Sequence, residues 1–227
     1  MEPRAHDPTS PAPAVRSRIV LLAGPSGSGK SSLAERAGLP TVCLDDFYRD
    51  GDDPGLPLAH IPGEEGHGLV DWDDPASWDA ERALAALVEF ATTGAAELPV
   101  YDIPSSRAIG THRLDVGDAP LVVAEGIFAA ELIAACRDAG ILADALCLTL
   151  RPSVTFWRRL VRDLRESRKP PLTLLRRGWA LLRAEPAVVA RQVALGASPV
   201  GPEDAALRLS RRLAELTAAG DADQLAA

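Results

Sequence analysis

The chain has 227 residues and a mass of 24.0 kDa, with 47% apolar and 25% charged residues. This balance suits one folded domain and excludes a disordered or fibrous chain. With 24 basic and 32 acidic residues the net charge is −8, so we expect no nucleic-acid partner, because binding a polyanion would need a local basic patch.

The N-terminal part of the chain begins with a tail and a buried strand. Residues 1–18 lack the apolar stretch of a signal peptide, and we expect them to form a disordered tail. A continuous apolar run predicts a strand at 19–23, followed by a Gly/Ser loop and a helix at 30–37 that ends at Gly38. A second buried strand is predicted at 41–44. Residues 49–68, rich in Gly, Pro, Asp and Glu, are typical of a functional flap or a disordered loop.

The rest of the chain alternates between helices and strands. Helical spacing predicts a helix at 78–91, after which a small hairpin insert is formed by strands at 100–101 and 108–114 around a turn at 104–106. Buried strands are predicted at 121–124 and 145–150, with a helix at 129–138 between them. Further helices are predicted at 153–167, 172–182, 187–195 and 203–218, and a C-terminal tail at 220–227.

Strands that alternate with helices predict a parallel sheet covered on both faces. We therefore expect a three-layer α/β fold with a short parallel sheet, in a single domain at 19–219. Ligands of such folds bind at the carboxyl ends of the strands.

Three cysteines, Cys43, Cys136 and Cys147, lie far apart without C-x-x-C spacing. They predict reduced, buried thiols and neither a disulfide framework nor a zinc site. The sequence also contains no run of about eighteen apolar residues. We expect a cytoplasmic protein with no membrane partner.

The segment GPSGSGKS at 24–31 fits the phosphate-binding pattern G-x-x-x-x-G-K-[ST] between a buried strand and a helix. In such a loop, backbone N–H groups cradle phosphate oxygens, the lysine reaches the transferred phosphate and the hydroxyl ligates Mg²⁺. Lys30 is one of only two lysines in the chain, which favours a chemical role for it. We therefore expect ATP and Mg²⁺ as cofactors. The predicted ATP-binding residues are Gly24, Ser26, Gly27, Ser28, Gly29, Lys30, Ser31 and Ser32.

Carboxylates follow two of the predicted strands. Glu125 could hold the metal with Ser31, or could cap the helix that follows. Asp45 and Asp46 end the second strand, where one carboxylate could accept the proton of an attacking hydroxyl. A solvated turn is the simpler interpretation of this acidic pair.

A dense group of cations occupies residues 158–169, with only Asp163 and Glu166 to neutralise it. The group fits a helical lid at about 158–171 that closes on nucleotide phosphates and stabilises charge in the transition state. A solvated helix face is an alternative, and nucleic-acid binding is a weaker third, because no aromatic residues interleave the cations. Its members are Arg158, Arg159, Arg162, Arg165, Arg168 and Lys169.

Segments in the same order along residues 19–169 resemble the uridine kinase (uridine–cytidine kinase) family of P-loop kinases. They are GPSGSGKSS at 24–32, LDDFYRD at 44–50, DWDDPASWD at 71–79, PVYDIPSSR at 99–107, VVAEGIFA at 122–129 and RRLVRDLRESRK at 158–169. The resemblance implies a P-loop kinase fold and transfer of the γ-phosphoryl group of ATP to the 5′-hydroxyl of uridine, cytidine or a related nucleoside.

The resemblance also implies roles for individual residues. Asp45 would be the general base, with Lys30 and Arg162 as the other catalytic residues. Tyr48 would line the acceptor site and Tyr101 would stack on the base. Asp73 and Arg159 would bind the ribose hydroxyls, since a carboxylate and a guanidinium can bracket a vicinal diol.

Two segments depart from the family pattern. Ser105 and Ser106 fall where the family usually places a pyrimidine-binding His, and the family's final strand and I-P-R-G-like turn have only the weak counterpart ASPVG at 197–201. Two alternatives therefore stay open. One is a kinase of a non-nucleoside alcohol, such as a pantothenate-like or sugar-phosphate acceptor, and the other is a nucleotide-binding switch that is not a kinase. A homo-oligomer also stays open, because members of the family often assemble.

Overall fold

The computed structural model describes residues 14–59, 69–150, 155 and 185–226. Short 3₁₀ helices occur at Leu44–Phe47, Pro75–Ser77 and Ala129–Leu132. The strands are β1 (Arg18–Ala23), β2 (Thr41–Cys43), β3 (Ala95–Asp102), β4 (Arg107–Asp115), β5 (Leu121–Glu125), β6 (Leu142–Leu148) and β7 (Ser198–Val200). The helices are α1 (Lys30–Ala37), α2 (Ala80–Thr93), α3 (Ile133–Asp138), α4 (residues 185–194) and α5 (Pro202–Ala226).

A parallel sheet with the strand order β2-β5-β1-β6-β7 forms the centre of the fold. In its register, Leu22 of β1, Glu125 of β5 and Cys43 of β2 are level with one another. The loops that follow these three strands therefore start side by side at one edge of the sheet. This edge carries the polar residues of the candidate site.

Helices cover both faces of the sheet. Successive residues of a strand point to opposite sides, so neighbouring residues of β1 pack against different helices. Ile19 and Leu21 belong to a core cluster with α2 and α3, whereas Val20 and Leu22 belong to a second cluster with α1 and α5. All four side chains are buried. The predicted three-layer α/β fold with a parallel sheet is thus confirmed.

The predicted hairpin insert is confirmed as an antiparallel pair of β3 and β4, separate from the main sheet. It is longer than predicted because β3 begins at Ala95 instead of residue 100, whereas β4 extends the predicted strand by one residue at each end. At its turn, Ser106 has a φ of 52°. The hairpin starts directly after Gly94, which ends α2 in the left-handed conformation with a φ of 82°.

Several predicted boundaries differ from those in the structure. The second strand ends at Cys43, since a 3₁₀ turn begins at Leu44. The strand predicted at 145–150 runs from Leu142 to Leu148 and includes Asp144, a charged residue that Arg208 of α5 pairs with. The region predicted as one helix at 129–138 consists of a 3₁₀ turn followed by α3.

The C-terminal region departs further from expectation. β7 was not predicted, because it is a three-residue edge strand containing a proline, which only an edge position tolerates. It pairs with β6, so ASPVG at 197–201 does contain a final strand. Helix α5 continues to Ala226 and includes most of the segment predicted as a C-terminal tail.

Other predictions fall outside the described residues. They include the lid at about 158–171 with Arg159 and Arg162, the helix at 172–182, most of the helix at 153–167 and most of the N-terminal tail. Within the part of the chain that the structure describes, no helix has both the length and the apolar character needed to cross a membrane.

Candidate active site

The loop between β1 and α1 begins at a position where only glycine fits. Gly24 has a φ of 143°, and a Cβ on it would lie 2.7 Å from the carbonyl oxygen of Leu148 at the end of β6. The loop ends at Gly29, which precedes the first residue of α1 and is also in the left-handed region, with a φ of 94°. The first N–H groups of a helix have no acceptor within the helix, so this end of α1 suits an anion.

Two buried polar groups line the same loop. Lys30 is 7% exposed, and its ammonium donates to the Gly24 carbonyl oxygen at 3.0 Å. Ser28 is 1% exposed, and among the described residues its hydroxyl has no hydrogen-bond partner. A buried hydroxyl without a partner is costly. A phosphate group would satisfy both the hydroxyl and the ammonium, so the loop fits a nucleotide.

Ser31 and Glu125 form a hydrogen-bonded pair across the sheet edge. The Ser31 hydroxyl donates to Glu125 Oε1 at 2.6 Å, and Glu125 is 6% exposed. Burial raises the pKa of Glu125, as do Asp45 and Asp46, while Lys30 and the Ser31 hydrogen bond lower it. Hydroxyl and carboxylate oxygens are ligands that Mg²⁺ prefers, and a cation would offset the burial of this charge. The pair therefore fits a magnesium ion.

Asp45 lies on the turn after β2, next to the residues that follow Glu125. Its side chain is exposed, and its Oδ1 accepts the N–H of Ile127 at 3.1 Å. A Cβ on Gly126 would lie 2.9 Å from this Oδ1 and 2.9 Å from Leu44 Cβ. The two loops thus approach each other closely because residue 126 is glycine.

Asp46 has a different environment from Asp45. It is half-buried, and burial raises its pKa, while hydrogen bonds from the Tyr101 backbone and the Cys43 side chain lower it. Cys43 is half-buried near Asp45, Asp46 and Glu125, and burial followed by these charges raises the pKa of its thiol to about 12. Cys43 therefore keeps its proton and remains a hydrogen-bond donor. By accepting from the Tyr101 backbone, Asp46 connects the 3₁₀ turn at Leu44–Phe47 to the hairpin.

Aromatic rings lie beside Asp45. The ring centroid of Tyr48 is 5.7 Å from that of Trp72, 5.8 Å from that of Tyr101 and 5.9 Å from that of Phe128. Burial, and then the charges of Asp45 and Asp73, raise the pKa of Tyr48, so both carboxylates lie near its hydroxyl. These rings form an aromatic cluster close to both carboxylates.

The turn of the hairpin is attached to the segment that follows Tyr48. Tyr101 Oη donates to the Arg49 carbonyl oxygen at 3.1 Å, and Asp50 accepts the N–H of Ala108 at 2.8 Å. Within the turn, the N–H and hydroxyl of Ser105 donate to Asp102 Oδ2 at 2.9 and 2.5 Å, and these bonds lower the pKa of Asp102.

No model of a protein family matches the chain. It is 29% identical over 163 residues to Inorganic pyrophosphatase TTM2 of Arabidopsis thaliana, a match that covers 67% of this chain and 21% of that protein. It is 28% identical over 170 residues to Uridine kinase of Schizosaccharomyces pombe, covering 70% and 34% of the two chains. With Uridine kinase of Brevibacillus brevis the identity is 26% over 157 residues, covering 65% and 67%.

The chain thus spans about a fifth to a third of the length of the first two of these relatives. Among solved structures, a protein of Silicibacter sp. TM1040 named for a fructose transport system kinase is 19% identical, with a TM-score of 0.53 over 82% of this chain and 88% of that one. That likeness shows a shared fold. The chain is thus similar in sequence to two uridine kinases and shares the fold of P-loop kinases.

One edge of the sheet brings together most of the predicted site residues. Asp73 is exposed on the segment before α2, and Ser32 is exposed on the first turn of α1. The residues gathered at or next to this edge are Gly24, Ser26, Gly27, Ser28, Gly29, Lys30, Ser31, Asp45, Tyr48, Asp73, Tyr101 and Glu125. Arg159 and Arg162 lie outside the described residues.

Two rings and one backbone contact of the site were not predicted from the sequence. Phe128 follows Glu125 by three positions and Trp72 directly precedes Asp73. Their closeness in sequence to predicted site residues is the signal that could have placed both rings in the site. The contact from the Ile127 N–H to Asp45 had no signal, since it joins two loops that are 82 residues apart.

Proposed function

We propose that this protein is a P-loop kinase that transfers the γ-phosphoryl group of ATP to the 5′-hydroxyl of a pyrimidine nucleoside, with uridine and cytidine as the first acceptors. The observation that carries the proposal is the placement of the exposed Asp45 carboxylate beside the Ser31–Glu125 pair, with the Tyr48 ring cluster next to it. Two curated relatives named uridine kinase support the choice of acceptor.

On the nucleotide side, the residues of the phosphate loop bind and orient the donor. Mg²⁺ bound to ATP supplies neutralisation of the phosphate charge. Ser31 and Glu125 would hold the metal. Lys30 would exchange its hydrogen bond with the Gly24 carbonyl for one with a phosphate oxygen, and Ser28 would gain a partner for its buried hydroxyl.

On the acceptor side, Asp45 is proposed as the group that orients and deprotonates the hydroxyl. Its Oδ1 is held by Ile127, so Oδ2 would accept the proton as the hydroxyl oxygen attacks phosphorus. Asp46 is less suited to this role, because it is half-buried and receives hydrogen bonds from the Tyr101 backbone and Cys43. Orientation of the hydroxyl and proton acceptance together raise the rate of transfer.

The ring cluster would bind the base, and Asp73 the ribose. Tyr101 is less buried than Tyr48, which leaves its face available for stacking on a planar base. Asp73 is exposed and near the Tyr48 hydroxyl. Arg159 and Arg162 are proposed, from the resemblance alone, to complete the ribose and phosphate contacts.

A kinase of a non-nucleoside alcohol is the second candidate, and the turn of the hairpin favours it. The Ser105 hydroxyl is engaged by Asp102 at 2.5 Å, at the place where the family usually has a His that binds the pyrimidine edge. A sugar-phosphate or pantothenate-like acceptor would not require that contact.

The test is ADP release from Mg²⁺-ATP in the presence of uridine, cytidine, adenosine, fructose 6-phosphate or pantothenate. We expect uridine or cytidine to stimulate release by the wild-type protein but not by Lys30→Ala or Asp45→Asn, with ATP binding retained in Asp45→Asn. Asp138→Asn, an exposed carboxylate at the end of α3, is the matched control and should retain activity. Stimulation by pantothenate or the sugar phosphate alone would favour the second candidate. ATP binding without stimulation by any acceptor would contradict both and favour a nucleotide switch.

A further inference from the structure

Gln192 uses both ends of its side-chain amide in the protein interior. It lies near the end of α4 and is 4% exposed. Its Nε2 donates to the carbonyl oxygen of Ile127 at 2.9 Å, and its Oε1 accepts from the Cys147 thiol at 3.1 Å. Loss of either bond would leave a polar group without a partner inside the protein. The amide therefore has one defined position.

The backbone of Ile127 connects this amide to Asp45. The Ile127 N–H donates to Asp45 Oδ1 at 3.1 Å, while the Ile127 carbonyl accepts from Gln192. These two bonds hold the peptide groups on either side of Ile127. The two groups are planar units joined at the Ile127 Cα. By holding the group after Ile127, Gln192 fixes the Cα to which the N–H-bearing group is attached, so a shift of this backbone would move the N–H away from Asp45.

The other end of the amide contacts the strand next to β1. Cys147 is buried on β6 and is level with Ala23, the residue before the phosphate loop. Burial raises the pKa of the Cys147 thiol to about 11, so the thiol keeps the proton that it donates. Gln192 thus links the two sides of the site. Its Oε1 binds Cys147 on β6, beside the strand that leads to the phosphate loop, and its Nε2 binds Ile127, which contacts the Asp45 carboxylate on the acceptor side.

We propose that Gln192 is a positioning residue for Asp45: its buried amide holds the Ile127 backbone so that the Ile127 N–H keeps the carboxylate at the acceptor. The proposal rests on the proposed function of Asp45. Gln192 itself touches no substrate in this arrangement. It acts through Ile127, and its loss should lower kcat more than it changes the binding of ATP.

The first test replaces Gln192 by methionine, which has a similar length and makes neither hydrogen bond. With Mg²⁺-ATP and uridine, we expect kcat to fall by about tenfold or more, with the KM for ATP nearly unchanged. Arg191→Met is the matched control on the same helix. The Arg191 side chain is 55% exposed and pairs with Glu131 at 3.0 Å, so its loss should leave kcat unchanged. If Gln192→Met does not fold, Gln192→Asn, whose shorter amide cannot reach both partners, takes its place.

A double-mutant cycle separates positioning from a general loss of structure. In an Asp45→Asn background, Gln192→Met should cause no further loss of the residual rate, because the residue it positions is already disabled. An equal loss in both backgrounds, or no loss in either, would overturn the proposal. An Asp45→Asn variant as active as the wild type would instead overturn the proposed function.

A crystal structure of the substituted protein gives a readout independent of the acceptor. We expect the distance from Asp45 Oδ1 to the Ile127 nitrogen to exceed hydrogen-bond length in Gln192→Met. A distance unchanged from 3.1 Å would overturn the proposal. This result decides the role of Gln192 even if uridine is not phosphorylated, an outcome that counts against the proposed function alone.

Discussion

Replacement of Gly126 by alanine measures how closely the loops after β2 and β5 must approach each other. A Cβ at residue 126 would lie 2.9 Å from Asp45 Oδ1 and 2.9 Å from Leu44 Cβ. The Asp45 side chain can rotate away from the new methyl group. Leu44 Cβ cannot, because it is bonded directly to the backbone, so the two loops must separate.

The required displacement is small but falls on the proposed catalytic group. Ordinary contact begins near 3.4 Å, so the segment at Leu44 and Asp45 has to move by about 0.5 Å. Crowding of this kind costs about 1–3 kcal/mol of folding free energy. The same movement lengthens the bond between Asp45 and Ile127, and misplacement of a reacting group lowers the rate by about tenfold to a hundredfold.

We therefore expect Gly126→Ala to lower kcat within that range while ATP still binds. The measurements are ADP release with Mg²⁺-ATP and uridine, titration with ATP, and thermal unfolding. Gly110→Ala on β4 is the matched control, since a Cβ there meets nothing within 4 Å. Wild-type kcat and Tm in Gly126→Ala would show that the loops separate freely and would refute the reasoning.

Three further outcomes are expected. Burial raises the pKa of Glu125, so its contribution to stability is present below its ordinary pKa of 4.5 and is lost as the pH rises through the raised value. Thermal unfolding of Glu125→Gln should therefore show a higher Tm than the wild type at neutral pH and no such excess in acid; a lower Tm at neutral pH would contradict this sign. Gly24→Ala, whose Cβ would lie 2.7 Å from the Leu148 carbonyl oxygen, should abolish ATP binding in calorimetry, and retained affinity would refute the steric argument. Asp144→Asn weakens a bidentate pair in which Arg208 Nη2 donates to Oδ1 at 2.8 Å and Nε to Oδ2 at 3.2 Å and should lower stability by about 1–3 kcal/mol in urea unfolding, so an unchanged midpoint would count against it.

Much of the fold follows from local patterns. The apolar run of β1, the glycines of the phosphate loop and the stop at Gly38 predicted the start of the domain almost to the residue. The hairpin was predicted from its turn, although only part of β3 was recognised. Each of these features depends on neighbours within a few positions, which is the range that periodicity and turn chemistry report.

The differences arise where distant residues decide the outcome. Asp144 belongs to a strand because Arg208 neutralises it from α5, and β7 forms because β6 offers it an edge. A charged or proline-containing segment read alone argues against a strand, and only the partner reverses that argument.

For the candidate site, the sequence alone determined the kinds of groups present: a phosphate loop, carboxylates at strand ends and tyrosines within recognisable segments. Tertiary structure alone decided how the carboxylates differ. Asp45 and Asp46 are adjacent in sequence, yet one binds the Ile127 backbone and the other the hairpin. The link from Cys147 through Gln192 to Ile127 likewise joins residues 45 and 65 positions apart. Local patterns cannot report such contacts, because a hydrogen bond depends on the direction in which folded backbone segments meet, and that direction is set by packing across the whole sheet.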